Sequence, residues 1–93
     1  MSPEGWTFET AAFERIYVPW RQHQRDSEVR QLVIDMLLRV LENPVRIGTE
    51  DPDHPGIFLV RVPRTDVSIV FTLDFDKKHI YLAAMGSVPG DFR

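Results

Sequence analysis

The stretch GIFLVRVPRTDVSIVFTL, Gly56 to Leu73, constrains this chain more than any other. It holds two runs of β-branched, aliphatic and aromatic residues, joined by the polar Pro-Arg-Thr-Asp of residues 63 to 66. Such a pattern predicts two strands and a tight turn. A third run, His79 to Met85, follows the turn DFDKK and predicts a three-stranded antiparallel meander. Side chains alternate across a sheet. Phe58, Val60 and Val62 therefore share one face with Val67, Ile69, Phe71, Leu73, Ile80, Leu82 and Ala84. That face is wholly apolar and is expected to lie under helices. Leu59, Arg61, Ser68, Val70, Thr72, His79, Tyr81 and Met85 fall on the other. An unpaired guanidinium in the core would cost several kcal/mol, on the order of a broken buried ion pair. Arg61 is therefore assigned to the open face, beside Ser68 and in the neighbourhood of His79 and Tyr81.

The helices come earlier in the chain. Val29, Leu32, Val33, Met36, Leu37, Val40 and Leu41 recur at helical spacing, with Asp26 or Ser27 as cap and Asn43-Pro44 as stop. Ile34 and Leu38 form a second apolar strip, which serves either a partner or the first helix. In that first helix Phe13, Ile16, Tyr17 and Trp20 lie on one face, Thr10 is the expected cap, and Pro19 is expected to end or kink it near Val18. Trp6 to Thr10 alternates as a short N-terminal strand. Residues 45 to 56 read as a loop, with a short extended piece at Val45 to Ile47. The order is strand, helix, helix, three strands: one α+β domain over residues 1–93, with helices on one face of a curved sheet.

Composition closes off several classes of function. The chain has 93 residues, 43% of them hydrophobic and 27% charged, as expected of one globular domain. It has no cysteine, so a disulfide framework or a cysteine-based metal site or nucleophile is excluded. No apolar run approaches a membrane span. The N-terminus MSPEGWTFET lacks a basic segment followed by an apolar block, so the cytoplasm is the expected location. The net charge of −3 is unlike that of a protein devoted to gripping phosphates, although a local basic cluster can sit on an acidic molecule. Neither a Ser/His/Asp set, a phosphate-binding glycine loop nor zinc spacing occurs, and no cofactor or metal is expected. Glu50 to His54, EDPDH, is either a site for a divalent cation or a solvated acidic loop.

The strings WTFETAAFERIYVPW, VRQLVIDMLLRVLENP and HPGIFLVRVPRTDVSIVFTLDFDKKHIYLAAMG, in this order, resemble the RelE/ParE superfamily of bacterial toxins over roughly the whole chain. The resemblance implies a toxin component neutralised by an antitoxin that wraps it. RelE-type members cut messenger RNA on the ribosome without a metal; ParE-type members instead poison DNA gyrase. For this chain the resemblance implies a ribosome-dependent mRNA interferase. Arg61 and Arg64 would contact phosphate, His79 and Tyr81 would handle protons, and Phe92 would stack on a base. Ser68 stands where RelE-type enzymes carry an arginine on the next strand. After Gly86, the family's arginine and tyrosine positions fall near Val88 and Phe92, with Arg93 a cation in a shifted register. The replacements at Ser68 and Val88 define the alternative: a catalytically silent member that binds an antitoxin or gyrase. The bland readings are a solvated Arg61 paired with Asp66 or Glu50, a packing pair at His79 and Tyr81, and a frayed terminus at Phe92 and Arg93.

Overall fold

The computed structural model describes residues 5–87. The elements are β1 (Thr7–Phe8), α1 (Thr10–His23), α2 (Ser27–Glu42), α3 (Pro44–Ile47), β2 (Thr49–Glu50), β3 (Ile57–Arg61), β4 (Val67–Asp74) and β5 (His79–Ser87). The strands form one sheet in the order β1-β5-β4-β3-β2, antiparallel throughout the meander and parallel where β1 meets β5. The α+β order read from the sequence is present, with one strand more than expected.

α2 forms as its periodicity dictates. The Asp26 carboxylate accepts from Glu28 N at 2.9 Å and Val29 N at 3.3 Å, satisfying amides that the first turn leaves unpaired. Val33, Met36, Leu37 and Val40 are buried beneath it, against Phe58, Val60, Ile69, Phe71, Ile80 and Leu82 of the sheet.

Four local expectations are corrected. Glu9, not Thr10, caps α1: its carboxylate accepts from Ala12 N at 2.7 Å and Ala11 N at 3.3 Å. α1 does not end near Val18 but runs through Pro19 to His23. Proline removes one donor and leaves the Arg15 carbonyl without its helical partner. The aromatic face nevertheless continues past it, with Phe13 stacked on Tyr17 at 4.9 Å and Tyr17 against Trp20 at 6.1 Å. Pro44–Ile47 is a helical turn rather than an extended piece, because Pro44 occupies the first position and Asn43 accepts from Arg46 N at 3.2 Å. Thr49–Glu50, within the expected loop, pairs with Leu59 and Phe58 as an edge strand. Replacing Pro19 by alanine restores the donor to Arg15. It is expected to raise the unfolding free energy by about 1–3 kcal/mol, measured by urea denaturation.

The face assignment holds for β3, for β4 and for the first part of β5, then reverses. Phe71 pairs with Leu82 but Val70 pairs with Ala84, so Ala83 is an extra residue, a β-bulge. Beyond it Ala84 stands opposite the open-face Val70, and Met85 opposite the core residue Ile69. Ala84 is accordingly exposed and Met85 packs on the core, the opposite of strict alternation.

Candidate functional site

Register places the open face in rows. Arg61, Ser68 and Gly86 form one row; Leu59, Val70 and Ala84 the next; Ile57, Thr72 and Tyr81 the third; Asp74 and His79 the last. Arg61 is exposed at the end of β3, as expected. Ser68 lies beside it but is only 3% exposed, recessed as a short side chain in the central strand rather than offered to solvent.

Arg64 lies in the β3–β4 turn with φ 67°, in the left-handed region. The turn holds it there through Thr65, whose hydroxyl donates to the Val62 carbonyl at 2.8 Å and accepts from Val67 N at 3.0 Å. Arg64 is near Arg61 along the chain, yet it lines a cavity of about 180 Å³ on the α2 side, with Asp35 and Arg39. The two arginines thus share one end of the sheet without sharing the open face.

His79 and Tyr81 meet edge to face, ring centroids 6.1 Å apart. His79 Nδ1 is buried and has no hydrogen-bond partner among the described residues. The surroundings are aromatic and cationic: Trp6 meets Phe75 at 5.6 Å, and Lys78 Nζ lies 5.2 Å from the Trp6 ring. This pair is not beside Arg61. Four residues of strand rise and two strand spacings separate Arg61 from Tyr81, roughly 16 Å. The expected neighbourhood of Arg61, His79 and Tyr81 is therefore corrected: the meander puts them at opposite ends of one face. Val88, Phe92 and Arg93 lie outside the described residues.

Between the two ends lies a cavity of about 340 Å³ with an apolar floor of Ile57, Leu59 and Val70 and an acidic rim of Glu50 and Asp51. Both carboxylates serve the loop. Glu50 accepts from Gly56 N at 2.8 Å, and Asp51 accepts from Asp53 N at 2.9 Å and His54 Nδ1 at 3.1 Å. Among the described residues no group of three or more His, Asp or Glu side chains could hold a metal ion. The Asp53 amide, followed by the His54 side chain, holds the Asp51 carboxyl below its ordinary 3.8. A carboxyl depressed in the folded state stabilises the fold above its unfolded value, and that contribution disappears as pH falls through the lower folded value. An NMR titration is expected to place the Asp51 midpoint below 3.8, and Asp53→Pro, which removes the donating amide, to bring it back up.

A third feature was not anticipated from the sequence. α1 and the bulged end of β5 enclose an open groove of about 550 Å³, with Arg15, Pro19, Trp20 and His23 on one wall and Ala84 and Met85 on the other. Its signals are present in the chain, a proline inside a helical pattern and an alanine pair inside a strand, but neither says that the two meet.

Helices packed on one face of a five-stranded mixed sheet define a RelE-like α+β fold. The crystal structure of the isolated E. coli RelE toxin superposes with a TM-score of 0.69 at 20% sequence identity, covering 91% of this chain and 85% of that one. No family model and no curated protein matches the sequence. Among the described residues no helix is long and apolar enough to cross a membrane.

Proposed function

We propose that the chain is the toxin component of a toxin–antitoxin pair and that it acts on translation by cutting messenger RNA on the ribosome. What carries this reading is the RelE-like fold over 91% of the chain together with the exposed guanidinium of Arg61 on the open sheet face. Cleavage of this kind forms a bond from a ribose 2′-oxygen to the adjacent phosphorus and breaks the bond from phosphorus to the 5′-oxygen. The 2′-hydroxyl loses a proton and the leaving oxygen gains one. Arg61 supplies a fixed cation for the charge that builds on the phosphate oxygens. Arg64, in the adjoining turn, adds positive potential from the side.

His79 and Tyr81 cannot exchange protons at the phosphate that Arg61 holds, because proton transfer needs approach to about 3 Å. On this reading they bind the same strand further along, where their rings stack on an unpaired base. Phe92 and Arg93 are the remaining candidates for stacking and for a second cation near the reacting phosphate.

A second reading starts from the middle of the open face. The face between the two ends is apolar, with Ile57, Leu59 and Val70 lining the cavity. Such a face suits a catalytically silent protein that binds an antitoxin or DNA gyrase. Induced expression in a bacterial host, followed by mapping of messenger 5′ ends in a translating extract, separates the readings. Growth arrest with ribosome-dependent cuts supports the nuclease. Growth arrest with loss of supercoiling and intact messages supports the gyrase binder, and unimpaired growth sinks the toxin reading.

A further inference from the structure

The groove between α1 and β5 borders a strand edge, not a sheet face. Ala84 and Met85 both line it, yet register puts Ala84 on the open face and Met85 on the core face. A cavity touching both must lie alongside β5. On that side β1 covers very little. The Lys78 and Ile80 carbonyls accept from Thr7 N at 3.0 Å and Glu9 N at 2.9 Å, and β1 pairs only with His79 and Ile80 before the chain turns into α1. From Ala83 onward the peptide groups of β5 that point away from β4 face no strand among the described residues. Across the groove stands α1, with Pro19 and Trp20 on its wall. The groove therefore offers β5 backbone donors and acceptors that have no strand partner among the described residues. An extended polypeptide satisfies such a set, by adding a strand to an exposed edge.

Side chains around the groove narrow the occupant. Ile16, Trp20 and Met85 supply apolar surface for alternate side chains of an added strand. The formal charge on the rim is positive: Arg15 lines it and no carboxylate does, in a chain whose net charge is −3. His23 Nδ1 donates to the Pro19 carbonyl at 2.8 Å, which fixes the ring at the end of α1 with Nε2 as an acceptor for an N–H of an added strand. A second copy of this chain would bring a like-charged rim against this one. We infer that the β5 edge beside α1 is a strand-addition site for an extended segment of a partner protein that alternates apolar and acidic residues.

The inference does not depend on RNA cleavage, since strand addition is read without RNA. The test uses the full chain and two nine-residue peptides, one alternating valine with glutamate and the other valine with lysine. In amide-resolved NMR the acidic peptide is expected to shift the amides of Ala83 to Met85 and the Trp20 indole, with affinity about five-fold above the basic peptide. Arg15→Glu, on an exposed helix face, is expected to reverse that order. Methylating alternate peptide nitrogens on the edge-facing side is expected to abolish binding, which a merely hydrophobic contact would survive. Equal affinity for both peptides, binding that survives methylation, shifts confined to other strands, or no shift at millimolar peptide each overturn the inference. A dimer in the ultracentrifuge that Arg15→Glu dissociates assigns the edge to a second copy and overturns it as well.

Discussion

Phe71→Ala is expected to lower the unfolding free energy by about 3–5 kcal/mol, the range for large aromatic truncations in a core. Much of a small domain's total stability would be lost, so the variant should populate unfolded chains at ambient temperature. The effect is large because three parts of the fold meet at this ring. Phe71 is 0% exposed and lies in β4, the central strand, which pairs with β3 on one side and β5 on the other. Its ring stacks on Phe58 at 5.6 Å and 10°. It also presses on the backbone after α3, where a Cβ built on Gly48 would stand 2.7 Å from the ring Cζ and 3.2 Å from the Pro44 carbonyl oxygen. Gly48→Ala thus meets a packed ring on one side and backbone on the other. Overpacking of this kind costs about 1–3 kcal/mol. The pair can be combined: in the Phe71→Ala background the ring contact is gone, and Gly48→Ala should keep only the smaller cost of the Pro44 carbonyl contact. Urea denaturation of the two single variants and the double reads that coupling directly. An additive double variant would mean that the ring and the glycine do not touch.

The core was legible because it rests on periodicity. Phe58, Val60 and Val62 against Val67, Ile69 and Phe71 alternate strictly, and Val33, Met36, Leu37 and Val40 repeat at helical spacing. All of them are buried. What failed was what periodicity does not encode. A bulge inserts one residue without a composition signal beyond two alanines, so Ala84 and Met85 exchanged faces. Pro19 reads as a helix stop in isolation, but tertiary packing of Tyr17 and Trp20 carries α1 past it. The same limit applies to the candidate site. Alternation placed Arg61, His79 and Tyr81 on one face correctly, whereas their separation follows from register, which the turn at residues 63 to 66 and the turn after Asp74 set together. Sharing a face was visible in the sequence; sharing a reach was not. Deleting Ala83 offers a direct check, since every other pair of β4 and β5 keeps its partner once the extra residue is gone.

On the proposed nuclease reading, Arg61→Ala should reduce ribosome-dependent cleavage by about 10²–10³-fold, the loss typical of removing one preorganised group that stabilises transition-state charge. Stability should change by no more than about 0.5 kcal/mol, because Arg61 is exposed at a strand end. Lysine at this position keeps the charge but loses the planar fork, so Arg61→Lys should recover part of the rate. Tyr81→Phe retains the ring and removes only the hydroxyl, and at roughly 16 Å from Arg61 it should cost no more than a few-fold. Tyr81→Ala, which removes the stacking surface, should act mainly on the concentration of programmed ribosomes needed for half-maximal rate. The decisive measurement is the double variant. Groups farther apart than about 10 Å, without shared partners, contribute independently, so Arg61→Ala with Tyr81→Ala should multiply the single losses. A double variant no slower than Arg61→Ala alone would mean that the two residues act at one centre, brought together by a rearrangement of the sheet on the ribosome. Cleavage that persists undiminished in Arg61→Ala would remove this arginine from the chemistry and leave the apolar centre of the face as the surface that matters.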